Sequence, residues 1–139
     1  MIVLDTNVLS ELMRSAPDAS VMNWVATQSA ANLFVTTITQ AEILHGVLLL
    51  PRGRRRDAIE AAADAMFEED FVGRILPFSS LAAHAYAEIA VARRQSGRPI
   101  SQFDAQIAAI AKSACADVAT RNVPDFEGCG IKVIDPWQS

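Results

Sequence analysis

The strongest constraint on the fold of this 139-residue chain is the alternation of short apolar runs with longer segments of helical periodicity. Because strands that alternate with helices are joined by crossover connections, this order favours a parallel sheet covered on both faces. The chain has the usual length of one domain, so we expect a single α/β domain over residues 1–139. The predicted strands are 1–4, 33–36, 74–78, 118–119 and 131–134.

Capping and breaking residues indicate where the helices begin and end. Thr6 and Asn7 are candidate caps for a first helix. Thr39 and Glu42 have the spacing of a capping box, which predicts a helix from Thr39 to Leu50. Further helices are predicted over 19–28, from the basic run at 52–56 to about 70, from Leu81 up to Gly97, and from Ser101 to Ala114.

Composition limits the classes of protein to consider. Hydrophobic residues make up 51% of the chain and charged residues 20%, which indicates a globular protein with some apolar surface left for a partner. The net charge of −4 argues against a generally basic nucleic-acid surface. The start of the chain is unlike a signal peptide and no apolar run reaches membrane-spanning length, so we expect a cytoplasmic protein with free thiols at Cys115 and Cys129.

Acidic side chains follow the predicted strands at corresponding places. Asp5 comes directly after the first strand, Glu42 begins the helix after the second, and Asp104 lies in the first turn of the helix before the fourth. Asn122 and Asp125 follow the fourth strand. Because the carboxyl ends of parallel strands share one edge, where ligands bind in open α/β sheets, these residues are predicted to meet in one pocket.

Helix capping is the competing explanation for two of these acids. Glu42 and Asp104 each follow a Thr or Ser at capping-box spacing, and a first-turn acid stabilises a helix by about 0.3–1 kcal/mol. Asp5 is different, because it follows four apolar residues and its carboxylate would be desolvated at the mouth of the sheet. We therefore expect Asp5 to need a cation.

A divalent cation would neutralise several neighbouring carboxylates. With oxygen ligands and no cluster of His or Cys, the ions that suit the predicted site are Mg²⁺ and Mn²⁺ rather than Zn²⁺. Such an ion activates water and neutralises charge on a phosphoryl oxygen, which is the chemistry of phosphodiester hydrolysis.

Four segments resemble the PIN domains of VapC- and FitB-type toxins, and the resemblance runs the whole length of the chain. It implies a three-layer α/β/α sandwich with a central parallel sheet and a Mg²⁺- or Mn²⁺-dependent endoribonuclease, the toxin of a type II toxin–antitoxin pair. It also implies an RNA substrate, a homodimer, and a small DNA-binding antitoxin of the VapB or FitA kind that forms a larger hetero-oligomer with the toxin. The segments are IVLDTNVLSEL (2–12), TTITQAEILHGVLLLPRGRRR (36–56), ISQFDAQIAAIAK (100–112) and VATRNVPDFEGCGIKVIDPW (118–137).

The resemblance assigns roles to residues of this chain. Asp5, Glu42 and Asp104 match the acidic site of the family, with Asp5 and Asp104 as the expected metal ligands. The fourth position stays open between Asn122, a neutral oxygen donor, and Asp125, and the number of metal ions stays open with it. Thr6 and Asn7, together with Asn122, are expected to support the acids by hydrogen bonding.

Other polar and aromatic residues are weaker candidates. Arg121 lies near the predicted site and is a candidate for holding a phosphate. His45 and His84 fall outside the acidic positions, and the basic run at 52–56 is typical of a solvated helix start. The two tryptophans, Trp24 and Trp137, are expected to anchor a core or an interface.

Three rival functions make different demands on the sequence. A Mg²⁺-dependent α/β phosphatase would need a second carboxylate two residues after Asp5, where this chain has Asn7. A receiver domain would need paired N-terminal acids and a suitably placed lysine, and the chain has lysine only at 112 and 132. A catalytically weak PIN-fold binding protein is the third, and the presence of all three acids argues against it.

Overall fold

The computed structural model describes residues 1–139 and contains a five-stranded sheet in the order β3-β2-β1-β4-β5. Every neighbouring pair of strands is parallel, which confirms the predicted parallel sheet. The strands are β1 (Ile2–Leu4), β2 (Leu33–Thr36), β3 (Ile75–Leu76), β4 (Asp117–Ala119) and β5 (Val133–Ile134).

Seven α-helices connect and follow the strands. A π-helical turn, Met66–Asp70, extends α4, and 3₁₀ turns lie at Ala30–Asn32 and Pro136–Gln138. The short helix α7 was not predicted from the sequence. No helix combines the length and apolar character that crossing a membrane would require. The helices are α1 (Thr6–Leu12), α2 (Ala19–Thr27), α3 (Thr37–Leu48), α4 (Arg54–Ala65), α5 (Ser80–Gln95), α6 (Gln102–Ser113) and α7 (Val123–Phe126).

Two apolar clusters lie on opposite faces of the sheet. Alternate residues of β1 contribute to them, since Ile2 and Leu4 belong to one cluster and Val3 to the other. The first cluster takes residues from α1 to α4, and the second takes residues from α5 and α6. This arrangement is the three-layer α/β/α sandwich, and the expected fold class is confirmed.

The order of the strands reverses beside β1. The chain passes outward from β1 through β2 to β3 and then returns to β4 on the other side of β1, where Ile2 pairs with Asp117. The carboxyl ends of β1, β2 and β4 therefore lie side by side. In open α/β sheets a ligand-binding crevice forms at such a reversal.

The predicted start of α3 is wrong. The helix begins at Thr37, and the hydroxyl of Thr36 caps it by accepting a hydrogen bond from Thr39 N at 3.1 Å. The chain passes from β2 into α3 without a loop, so the cap lies three residues earlier than the Thr39–Glu42 box predicts. Glu42 consequently lies in the second turn, and capping does not explain it.

The predicted cap of α1 is also wrong. Asp5, rather than Thr6 or Asn7, is the N-cap, and its Oδ1 accepts a hydrogen bond from Thr6 N at 2.8 Å. Capping therefore accounts for one oxygen of a carboxylate that we expected to have no such role. The other oxygen still faces the sheet edge.

The central strand should carry a large part of the stability. Leu4 is fully buried in β1, whereas Leu49 is 71% exposed after α3. We expect Leu4→Ala to lower the free energy of unfolding by about 2–5 kcal/mol, because it removes apolar contacts and leaves a cavity. Leu49→Ala makes the same chemical change and should alter it by less than about 0.5 kcal/mol. Urea titrations measure both, and equal effects would contradict the assigned core.

Candidate acidic site at the sheet edge

Asp5 is the most buried carboxylate of the edge, with 5% of its surface exposed. Its Oδ1 caps α1, and its Oδ2 accepts hydrogen bonds from Thr120 Oγ1 at 2.8 Å and from Asn7 Nδ2 at 3.3 Å. Both carboxylate oxygens are thus held by donors from α1 and from the residue that follows β4. The side chain is fixed in place before any ligand arrives.

Thr120 is the polar residue that the sequence analysis missed. It is fully buried, and its hydroxyl also accepts from Asn7 Nδ2 at 3.2 Å and from Asn122 N at 3.1 Å. Thr120 follows β4 as Asp5 follows β1, and the two strands are neighbours. The available signal was a polar residue directly after a predicted strand, but the strand order was needed to use it.

Glu42 reaches the same edge from α3. Its Oε1 accepts a hydrogen bond from Thr6 Oγ1 at 3.1 Å, and Thr6 Oγ1 also shares a hydrogen bond of 2.9 Å with Thr39 Oγ1. Partial burial raises the pKa of Glu42, and repulsion from Asp104 adds to this, while the Thr6 hydrogen bond opposes it. Thr6 therefore supports Glu42 with its side chain and Asp5 with its backbone.

Asp104 lies in the first turn of α6, as predicted, and its backbone N–H donates to the capping Ser101 Oγ at 3.2 Å. Burial raises the pKa of Asp104, and repulsion from Asp125 raises it further. A hydrogen bond with Ser101 and the positive charge of Arg93 act in the opposite direction.

Asp104 and Glu42 act electrostatically on Asp5. Burial is the main cause that raises the pKa of Asp5 from 3.8 to about 6, and repulsion from Asp104 and Glu42 contributes to the same rise. Hydrogen bonds from Thr120 and Thr6 limit the shift. Negative charge at this edge is thus only partly compensated by the protein.

Asn122 and Asp125 have different surroundings at the edge. Asn122 lines a polar cleft together with Thr6, Asn7 and Glu42, whereas the charge of Asp125 acts on Asp104. Both side chains are exposed. The two residues are therefore not equivalent substitutes for one another, since each is near a different acid.

The polar cleft has a volume of about 600 Å³ and is bordered by Arg121 and Trp137. The guanidinium carbon of Arg121 lies 5.1 Å from the centre of the Trp137 ring, and Arg121 N donates to Asn7 Oδ1 at 3.2 Å. Trp137 packs against the first apolar cluster, and Trp24 is buried within it, as expected. A second cavity of about 730 Å³, lined by α1, α3 and α4, joins the cleft at Thr6 and Glu42.

The remaining candidates lie elsewhere. His45 and His84 are exposed and line neither cavity. Of the basic run at 52–56, Arg55 lines the second cavity. Cys115 and Cys129 are both free thiols, as expected.

The side-chain atoms at the edge that could bind a metal suit a hard cation. They are carboxylate, hydroxyl and amide oxygens, with no His or Cys among them. No group of three or more His, Cys, Asp or Glu side chains is close enough to hold a metal ion directly. Mg²⁺ keeps several waters and is commonly held through one or two carboxylates, so a Mg²⁺ site does not require such a group.

The PIN domain family model matches residues 2–125. The chain is 40% identical to the plasmid stability protein StbB of Pseudomonas syringae pv. tomato over 139 residues, which is the full length of both. It is 38% identical to the VapC ribonuclease Y4jK of Sinorhizobium fredii, over 99% of each chain. The crystal structure of FitAcB from Neisseria gonorrhoeae contains a chain that superposes with a TM-score of 0.90 at 34% identity, with full coverage of both.

These matches span the whole sheet and every element that carries an acid of the edge. The sequence relatives and the structural neighbour agree with one another and with the resemblance seen in the motifs. The chain belongs to the PIN-domain family, in the group that includes the VapC and FitB toxins.

Proposed function

We propose that this protein is the toxin of a type II toxin–antitoxin system and a Mg²⁺- or Mn²⁺-dependent endoribonuclease. The observation that carries the proposal is the buried carboxylate of Asp5, which hydrogen bonds hold at the sheet edge and to whose negative charge Glu42 and Asp104 add. A relative over the full length of the chain is named a VapC ribonuclease, and this supports the same activity here. The reaction is hydrolysis of an RNA phosphodiester bond.

Asp5 and Asp104 are the residues that would hold the ion. Asp5 is prearranged by its hydrogen bonds, and Asp104 is half-buried, with a pKa raised by burial and by repulsion from Asp125. A bound ion would supply positive charge to stabilise a phosphoryl oxygen and would lower the pKa of a water. Asn122 would assist as a neutral hydrogen-bonding group in the cleft, and Asp125 through its charge near Asp104.

Glu42 is suited to orient or deprotonate the attacking water. Thr6 donates to its Oε1, and Oε2 has no hydrogen-bond partner in the protein. Its raised pKa makes it a better proton acceptor than an exposed glutamate. Attack by water in line with the leaving oxygen leaves a 5′-phosphate and a 3′-hydroxyl, and the 2′-hydroxyl is then a recognition feature.

Arg121 is proposed to hold a phosphate of the RNA. Its guanidinium is exposed at the border of the cleft that Glu42 also lines, and stacking on Trp137 orients it. Asn7 links the Arg121 backbone to Asp5, because it accepts from Arg121 N and donates to Asp5 Oδ2. The phosphate site is thereby coupled to the acidic edge.

A small DNA-binding antitoxin of the VapB or FitA kind is the proposed partner, with a homodimer as the toxin unit. Structural neighbours in this group are toxin–antitoxin complexes, among them FitAB bound to a DNA fragment. Exposed apolar side chains such as Leu81, Phe103 and Leu49 supply surface for such assembly. Co-expression with the adjacent gene, followed by light scattering of the purified complex, tests this. A monomer that binds no neighbouring gene product would contradict it.

Asp5→Asn tests the activity. With Mg²⁺ or Mn²⁺ and a mixed structured RNA, we expect this substitution to slow cleavage at least about 100-fold, because it removes a charge that holds the ion. Asp18→Asn is the matched control, since Asp18 is the exposed N-cap of α2 and Asn caps equally well. Equal cutting by wild type and Asp5→Asn, or no cutting by wild type, would refute the nuclease.

The raised pKa of Asp5 predicts a pH dependence of stability in the metal-free protein. The carboxyl group has a pKa of 3.8 in the unfolded chain and about 6 in the folded protein. Between these values the folded protein keeps a proton that the unfolded chain has released, so the free energy of unfolding falls as pH rises, by about 3 kcal/mol in all.

Asp5→Asn removes this dependence while its amide oxygen keeps the cap of α1. We expect the variant to be more stable than wild type at about pH 7.5 in EDTA, with the difference shrinking towards about pH 5. Urea titrations at both values measure it, and added Mg²⁺ should stabilise wild type alone. A difference that stays constant between the two pH values would contradict the charge on Asp5 as its cause.

Arg121→Ala tests the phosphate contact. We expect KM for a short RNA to rise about tenfold with kcat nearly unchanged, because the contact is made to the substrate before and during the reaction. The exposed Arg94 on α5 supplies the control variant Arg94→Ala. A fall in kcat at unchanged KM would instead assign Arg121 to the reacting phosphate.

A further inference from the structure

Arg93 is a buried arginine without a carboxylate partner. It lies in the last turn of α5 and exposes 6% of its surface. The ion pairs of the structure are Arg14 with Glu11 and Arg98 with Glu127, and neither includes Arg93. A buried charge is costly unless its donors are satisfied, so the groups that receive its hydrogen bonds indicate its role.

The N–H groups of Arg93 donate hydrogen bonds to two separate segments of the chain. Arg93 Nε donates to Arg98 O at 2.7 Å, in the loop that leads into α6. Arg93 Nη1 donates to Asp125 O at 2.8 Å and Glu127 O at 2.9 Å, at the end of α7. The same nitrogen contacts Cys129 Sγ at 3.7 Å. One guanidinium therefore joins the segment before α6 to the loop after β4.

These two segments carry the acids on one side of the site. Arg98 lies three residues before Ser101, whose hydroxyl caps α6 and fixes the turn that contains Asp104. Asp125 belongs to the segment that Arg93 holds directly through its carbonyl. The charge of Arg93 also acts on Asp104, where it opposes the repulsion from Asp125.

The loop after α7 packs against the aliphatic part of the Arg93 side chain as well as its guanidinium group. Gly128 has a φ of +75°, and a Cβ built there would lie 3.6 Å from Arg93 Cδ. Arg98 adds a second link on the surface by donating to Pro124 O at 3.2 Å and Glu127 Oε2 at 3.0 Å. The position of the Asp125 segment thus depends on contacts with the end of α5, and the buried contacts are those of Arg93.

We infer that Arg93 is a positioning residue of the acidic site, whose buried guanidinium holds the Asp125 segment against the start of α6 and so sets the separation of Asp104 and Asp125. The effects on metal binding and RNA cleavage rest on the proposed function. The fixation of the loop by Arg93 does not depend on it. Lysine would keep the charge, but a single ammonium has no planar fork to reach both segments at once.

The test compares Arg93→Met and Arg93→Lys with wild type, and uses Arg94→Met on the exposed side of α5 as the control. Four measurements are made: urea unfolding, hydrogen exchange of residues 121–130 without metal, Mn²⁺ affinity from the electron paramagnetic resonance signal of free Mn²⁺, and kcat and KM on RNA. We expect Arg93→Met to stay folded and to show faster hydrogen exchange in residues 121–130. It should bind Mn²⁺ at least about tenfold more weakly, and its kcat should fall while KM changes little.

Arg93→Lys should fall between Arg93→Met and wild type in exchange, affinity and kcat, and Arg94→Met should match wild type. Full rescue by lysine would show that charge alone matters and would overturn the positioning role. Exchange and Mn²⁺ affinity unchanged in Arg93→Met would overturn it too, as would failure of both Arg93 variants to fold. If wild type neither binds Mn²⁺ nor cuts RNA, the proposed function fails, and the exchange data still decide whether Arg93 holds the loop.

Discussion

The site depends on a conflict between burial and charge at Asp5. The carboxylate lies at the end of the central strand, where desolvation favours its neutral form and raises its pKa to about 6. Hydrogen bonds from Thr6 N, Thr120 Oγ1 and Asn7 Nδ2 favour the ionised form but do not fully offset the burial. The fold thus maintains a carboxylate that a cation would stabilise, which is the basis of the proposed metal site.

The topology of the sheet brings the other acids to this carboxylate. Because β1 lies between β2 and β4, the segments that follow all three strands share one edge, and α6 begins beside them. Glu42 comes to the edge on α3 and Asp104 on α6, so each acid is held by a regular element. Only Asp125 lies on a short helix and loop, and there the buried Arg93 provides the fixation that a longer element would supply.

Sequence reasoning was most accurate where one local pattern was enough. The runs that became β1 and β2 and the stripe of α6 were recognised, because apolar periodicity reflects burial directly. It was least accurate at helix starts, where Asp5 and Thr36 cap α1 and α3 in place of the residues that we chose. Several polar residues near a boundary compete as caps, and the path of the preceding strand decides between them.

The sequence by itself determined the class of fold, the family and the acids at the sheet edge, since strand and helix periodicity and local motifs are properties of neighbouring residues. Only the tertiary structure decided which polar groups support those acids. Thr120 contacts Asp5 across 115 residues, and Arg93 contacts the Asp125 segment across 32. Such contacts arise from strand order and helix packing. No periodic pattern in the sequence indicates which hydroxyl or guanidinium group will be buried.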